Sequence, residues 1–205
     1  GWKRVSSGMH LFATAMVAFG SSLSAFWIMS ANAWMQTPAG GSFEKGRFVA
    51  AINFEPIFNS DMPWAVSHMW VACLEVTIFV VGGISAWYLL KNRRVDFFLR
   101  SFKIVVIAAI VITPLQIYLG DGSGRQVAET QPTKLGAMEA HWNTNPTGKG
   151  ASWNFLAWPN KAKQDNDWAI TIPNGLSLLL TRSLTGQVKG LRDFPLEDQP
   201  PIWLP

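Results

Sequence analysis

The sequence predicts an all-α integral membrane protein: three transmembrane helices of a larger helix bundle, followed by an extracytoplasmic loop region with short helices. Three observations carry this expectation. Charged residues make up only 15% of the 205 residues, against roughly 25% in soluble domains. The apolar residues gather into three runs within residues 1–119, each near the ~20 residues that cross a bilayer as a helix. Residues 120–205 are polar, with many prolines and glycines. Buried helices of a soluble protein are the competing reading, but three such runs in so short a stretch are rare in soluble folds.

The first span is expected at about residues 11–35. On a helix at about 100° per residue, His10, Thr14, Ser21, Ser24 and Asn32 fall within a sector of roughly 80°. That polar stripe has two readings. Small residues such as Gly20, Ser21 and Ser24 let helices pack closely and hydrogen-bond. Alternatively, the stripe lines a proton path inward from the cytoplasm.

The second span is expected at about 64–90 and carries His68 and Glu75. Ionisable groups inside such a run are costly and usually functional. A neutral imidazole there can ligate a metal, and haem iron is the usual one in a membrane helix bundle. The alternative is a hydrogen-bonded spectator. Glu75 lies seven residues on, hence on the same face and about two turns deeper. It needs a partner on another helix, or a raised pKa and a proton. Gly82, Gly83 and Ser85 suggest a close helix contact. Cys73 is the sole cysteine, which excludes a disulfide within this chain and a cysteine-rich metal site.

The third span, about 102–119, is read as the shortest, with Pro114 expected to kink it near its end. Trp34, Trp64 and Trp87 mark span ends, as interfacial anchors do. Between spans two and three lie Lys91, Arg93, Arg94, Arg100 and Lys103 against Asp96 alone. Lys3 and Arg4 precede span one. The positive-inside rule puts these segments in the cytoplasm and residues 120–205 outside. Eight basic and eight acidic residues balance in 120–205. The net charge of +4 therefore reports topology and gives no reason to expect nucleic acid. No leader with a small-residue cleavage site is read, and three helices with one haem-ligand candidate read as a piece of a larger bundle.

Beyond span three, Leu119-Gly-Asp-Gly-Ser-Gly124 reads as a flexible turn at the membrane edge. It lacks the spacing and Lys-Ser/Thr of a phosphate loop. Pro132 suits the first turn of a short helix carrying Lys134, Glu139 and His141. Residues 143–167 read as loop. Trp168–Leu180 is apolar but broken by Pro173 and Gly175, too short to span, and expected to lie on the surface or to pack on neighbouring helices.

Four blocks give the chain a resemblance. They are Ala18 to Pro38 (AFGSSLSAFWIMSANAWMQTP), His68 sixteen residues before Ile84-Ser-Ala-Trp-Tyr88, Leu119 to Gly124, and Gln131 to Trp142 (QPTKLGAMEAHW). In order and spacing they resemble subunit I of the cytochrome bd family of quinol oxidases. The match covers most of residues 8–142 and is looser beyond. The resemblance implies that His68 is an axial ligand of the low-spin haem b, and that Lys134 and Glu139 belong to the external quinol-binding segment, the Q-loop. It also implies that Ser24 and Asn32 line a proton route, to which Glu75 is added as a further candidate. It lifts the proton-path reading of span one above packing.

The function so implied is part of a terminal quinol:oxygen oxidoreductase of the bacterial cytoplasmic membrane. Quinol is oxidised at the outer face, electrons pass through haem b to further b or d haems that reduce oxygen, and protons come from the cytoplasm. The implied partners are the rest of subunit I, subunit II, a small single-helix subunit, membrane lipid, O2, and ubiquinol or menaquinol. The tail resembles the short Q-loop, cyanide-insensitive branch. The family's methionine ligand, its oxygen-site ligands and a glutamate pair fall outside this chain, which alone is not expected to reduce oxygen. Glu75 and His141 match no general family position. The rival readings are another membrane b-type cytochrome or quinone-linked anchor, and a non-haem transporter or scaffold subunit.

Overall fold

The computed structural model describes residues 4–51 and 53–201. Lys3 and the stretch 202–205, both used in the sequence reading, lie outside them. Three long helices dominate: α1 over Ser7–Gln36, α2 over Met62–Leu90 and α3 over Val95–Thr130. All three are long and apolar enough to cross a membrane, and very little of their apolar windows is buried by the rest of the chain. The helical membrane class therefore stands. The chain divides into two compact units, residues 1–120 and 121–205.

In the first unit, Ser6 caps α1 by accepting a hydrogen bond from Met9 N. α1 packs on α2 through Ala33, Met62 and Val66, with Phe26, Met29 and Ala65 around them. Asn59 sets the start of α2. Its Oδ1 accepts from the N–H of Asp61 and of Met62, each at 3.1 Å, relieving donors that a helix start leaves unpaired. Between the two helices lies a hairpin that the sequence reading did not anticipate. β1 (Gly41–Glu44) and β2 (Arg47–Ala50) pair antiparallel. Their two-residue turn has Lys45 at φ 48° and Gly46 at φ 76°, the left-handed pair that such a hairpin demands.

α2 and α3 run antiparallel across a turn at 91–94. Tyr88 stacks on Phe98 beside the turn, centroids 4.4 Å apart and rings 7° from parallel. Gly82 meets Val105 further along, and Ser85 is fully buried. Lys91 turns back over the Trp87 ring at 4.7 Å. The basic segment is thus only partly a loop, because Arg100 and Lys103 already belong to α3.

Three expectations need correction. The third helix is the longest of the three, with 36 residues, and it runs on past Pro114. The apolar run marked only its lipid-crossing part. Asp96 favours its first turn, and an Asp121–Arg125 pair at 3.2 Å holds its last turns. Hence Gly120–Gly124 is helix, not a flexible turn, and Asp121 is further tied to Arg182. Next, residues 153–172 form a second antiparallel hairpin, β3 (Trp153–Asn160) with β4 (Asp165–Ile172). Register shifts at Asn154/Leu156 and Trp158/Pro159 spoil the two-residue alternation that would have revealed it. Lastly, the short helix α4 covers Pro132–Met138, so Lys134 lies on it, Glu139 caps it and His141 follows it.

The second unit is built around Leu135, Ala151, Leu176 and Val188, with Trp142 and Leu191 adjoining. Helix α5 (Gly175–Thr181) supplies Leu176. Asn145, buried, donates to the carbonyls of Lys149 (2.6 Å) and Gly186 (3.0 Å) and accepts from Val188 N at 2.7 Å. Such a buried amide is stabilising because every arm is used.

Gly190 lies hard against the backbone of 142–143: a Cβ there would stand 2.4 Å from Trp142 O. Gly190→Ala is expected to destabilise the second unit by on the order of 1–3 kcal/mol through overpacking. Gly124→Ala, with nothing within 4 Å of the added methyl, is expected to be neutral or to stabilise α3 by up to about 1 kcal/mol. Thermal unfolding of the two variants checks this; equal behaviour would contradict the packing described.

Candidate functional site

His68 stands in the second turn of α2, half-buried. α3 lies against its ring. A Cβ on Gly120 would be 3.4 Å from His68 Cε1 and 3.7 Å from Nδ1, with Nε2 beyond 4 Å. Gln116, one turn earlier, brings its amide nitrogen to 3.3 Å from both ring nitrogens. Trp64 and Tyr118 meet nearby, centroids 6.2 Å apart. Among the described residues, no three His, Cys, Asp or Glu side chains gather to hold a bare ion. A haem brings four nitrogens of its own and asks one imidazole from this side. That demand is one His68 can meet: its ring is half-buried, with the Cε1–Nδ1 edge toward the side-chain-free Gly120. Glu75, two turns on and half-buried, makes no hydrogen bond or ion pair among the described residues.

On α1, Ser21, Ser24 and Asn32 are exposed and His10 half-buried. Thr14 Oγ1 donates to His10 O at 2.9 Å. The face that packs on α2 is a different one: Phe26, Met29, Ala33, with Ser30 buried and donating to Phe26 O at 2.8 Å.

In the second unit, α4 separates Lys134 from Glu139 by five residues, about 7.5 Å of helical rise. Lys134 is half-buried. Glu139 closes the helix, its N–H donating to Leu135 O at 2.9 Å. Burial pushes its carboxyl above the usual carboxylate range, against the opposing effect of a hydrogen bond from the Trp153 side chain. The next residue, Ala140, has φ 47°, an unfavourable value for a residue with a Cβ. It is held there by side-chain amides from the β3–β4 hairpin. Asn154 Nδ2 donates to Glu139 O (2.8 Å) and Ala140 O (3.0 Å). Asn166 Nδ2 donates to Ala140 O at 3.0 Å, and Trp142 Nε1 donates to Asn166 Oδ1 at 2.9 Å.

His141 is buried, and burial lowers its pKa. The ring stays neutral at pH 7, and its Nε2 lies 3.3 Å from Val188 O, the geometry of an Nε2–H donor. Its place is structural, pinning the segment after α4 to residues 188–191, where Leu191 N donates to His141 O at 3.0 Å. A cleft of about 360 Å³ lies between Arg125, Glu129, Pro132, Leu135, Val188 and Lys189; Lys134 and Glu139 do not line it.

Four residues of these sites were missed in the sequence. Gln116 was visible as an amide inside an apolar run. Trp153, Asn154 and Asn166 gave no local signal, since only the hairpin brings them to Glu139 and Ala140.

The whole chain, residues 1–205, matches the family of cytochrome bd terminal oxidase subunit I. It is 38% identical over 202 residues to the cytochrome bd-II ubiquinol oxidase subunit 1 of Escherichia coli (strain K12), covering 98% of this chain and 39% of that protein. To the cytochrome bd ubiquinol oxidase subunit 1 of Bacillus subtilis (strain 168) it is 31% identical, covering 96% and 42%. Among solved structures it is similar to the bd oxidase of Geobacillus thermodenitrificans, with a TM-score of 0.82, 31% identity, and 98% and 46% of the two chains covered. The chain spans about two fifths of the length of these two curated relatives. It belongs to the cytochrome bd subunit I family.

Proposed function

We propose that this member of the cytochrome bd subunit I family is the quinol-oxidising section of a terminal quinol:oxygen oxidoreductase in the bacterial cytoplasmic membrane. The carrying observation is the setting of Glu139: a half-buried carboxyl with raised proton affinity, oriented by Trp153 and by a backbone clamped from a hairpin. A quinol gives up two protons with its two electrons. Glu139 accepts a hydroxyl proton, for which a raised pKa makes it a better base near neutral pH. Lys134 stabilises the anionic charge that develops on the quinol oxygen. His68 would hold the low-spin haem b, and that haem, when bound, would supply one-electron transfer. Ser24 and Asn32 on α1, with Glu75 a further candidate, carry protons inward from the cytoplasmic side. The external placement of residues 120–205 as a Q-loop rests on the distribution of basic residues in the sequence. The partners proposed are the remainder of subunit I, subunit II, a small single-helix subunit, membrane lipid, ubiquinol or menaquinol, and O2.

In the complete oxidase, His68→Ala is expected to remove the low-spin haem b band from the reduced-minus-oxidised spectrum; a persistent band would discard the ligand assignment. Glu139→Gln is expected to lower quinol turnover by about 100-fold or more with haem content intact. Because Glu139 must be ionised to accept a proton, wild-type turnover falls as pH drops through its raised pKa. Trp153→Phe removes a hydrogen bond that favours the ionised form, so this acid limb moves to higher pH. A limb that stays in place, or normal turnover in Glu139→Gln, counts against the assignment. Ser24→Ala and Asn32→Leu are expected to slow oxygen consumption while quinol still reduces haem b at the normal rate; normal oxygen consumption in both would leave the stripe without a proton role.

A further inference from the structure

Gln116 is a polar group that the proposed function leaves unused. It lies within the apolar run of α3, between Leu115 and Ile117. An amide in such a run is costly unless it bonds to something specific. Its Nε2 sits 3.3 Å from His68 Nδ1 and 3.3 Å from His68 Nε2. Its Oε1 is buried with no partner among the described residues.

This arrangement leaves hydrogen-bonding capacity unmatched. An amide nitrogen only donates, and a neutral imidazole carries one acceptor and one donor. When the imidazole acceptor is given to a metal, the ring has only an N–H to offer, and an amide nitrogen cannot receive it. A half-turn of the amide about its last bond exchanges its two ends. Oε1 then reaches the ring, ends its own isolation and accepts the ring N–H. The amide lies equally far from the two ring nitrogens, and Gly120 marks which edge of the ring faces α3. Gly120, one turn beyond Gln116, borders Cε1 and Nδ1, while Nε2 lies outside 4 Å of the same point.

We propose that Gln116 is the positioning residue of the haem-ligating histidine, its Oε1 accepting a hydrogen bond from His68 Nδ1–H and so fixing Nε2 as the iron ligand. This rests on the reading of His68 as an axial ligand. Outer-shell acceptors of this kind fix the tautomer and ring orientation and make the ligand more electron-donating. A more donating ligand favours ferric over ferrous iron, so Gln116 lowers the midpoint potential of the haem it supports. The side chain sets the driving force for electron entry without touching quinol or iron.

The test uses the complete oxidase in four forms: wild type, Gln116→Leu, Gln116→Glu and His68→Ala. The midpoint potential of the low-spin haem b is read by spectro-electrochemical titration, and its ferric EPR signal is recorded. Gln116→Leu is expected to raise the potential, to shift the EPR g-values and to loosen haem retention by about 10–100-fold. Gln116→Glu, of nearly the same size, offers a stronger acceptor and is expected to lower the potential. If Gln116→Leu does not assemble, Gln116→Glu decides alone: a lowered potential supports the proposal, and an unchanged or raised one overturns it. Unmoved potentials and EPR signals in both variants also overturn it. Loss of the band in His68→Ala alongside unmoved Gln116 variants defeats only the role of Gln116. Survival of the band in His68→Ala defeats the ligand reading beneath it.

Discussion

The short turn between Lys91 and Arg94 fixes the register of α2 against α3, and the surroundings of His68 follow from that register. Tyr88 on Phe98, Gly82 on Val105, His68 on Gln116 and Trp64 on Tyr118 form one antiparallel series. Small residues matter at two steps of it. Gly82 admits the Val105 side chain, and Gly120 lets a histidine ring lie against a helix backbone. In lipid the association of helices depends on packing and polar contacts, because apolar side chains gain little by leaving apolar surroundings. A series of specific contacts does that work here, with the polar pair near its far end.

The second unit solves a different problem. Its backbone is irregular for long stretches, and irregular backbone needs partners for its amides and carbonyls. Asparagine side chains supply many of them. Asn145 joins the loop at 145–149 to residues 186–188, and Asn154 with Asn166 holds the carbonyls of Glu139 and Ala140. The carboxyl of Glu139 is therefore carried on a backbone whose direction is set from two strands. Burial holds that carboxyl above the usual carboxylate range, against the opposing hydrogen bond from Trp153.

The sequence made the lipid-facing part of the fold legible and much of the rest opaque, for identifiable reasons. Apolar runs report where a helix meets lipid, so α1 and α2 were located within a few residues of their ends. α3 was cut short because its ends leave the apolar window while the helix goes on, held by Asp121 with Arg125. Glycines 120, 122 and 124 read as a turn because they disfavour helix locally; here packing and ion pairing override that preference. The β1–β2 hairpin carried a faint signal in Lys45-Gly46. The β3–β4 hairpin carried none, since two register shifts and Pro159 disguise its alternation. For the proposed sites, His68, Lys134 and Glu139 are accessible by residue type and resemblance. Their supports, Gln116, Trp153, Asn154 and Asn166, depend on contacts between residues far apart in the chain or on partners at another strand.

The antiparallel series along α2 and α3 also has an order in time. Tyr88 and Phe98 are separated by ten residues, His68 and Gln116 by forty-eight. Loop-closure entropy grows with separation, so the aromatic pair beside the turn is the first to gain from closing and the histidine end the last. Zipping from the turn brings the two helices into register while their far ends are still splayed. The contact of His68 with Gln116 therefore closes only after the contacts nearer the turn have brought the two helices together.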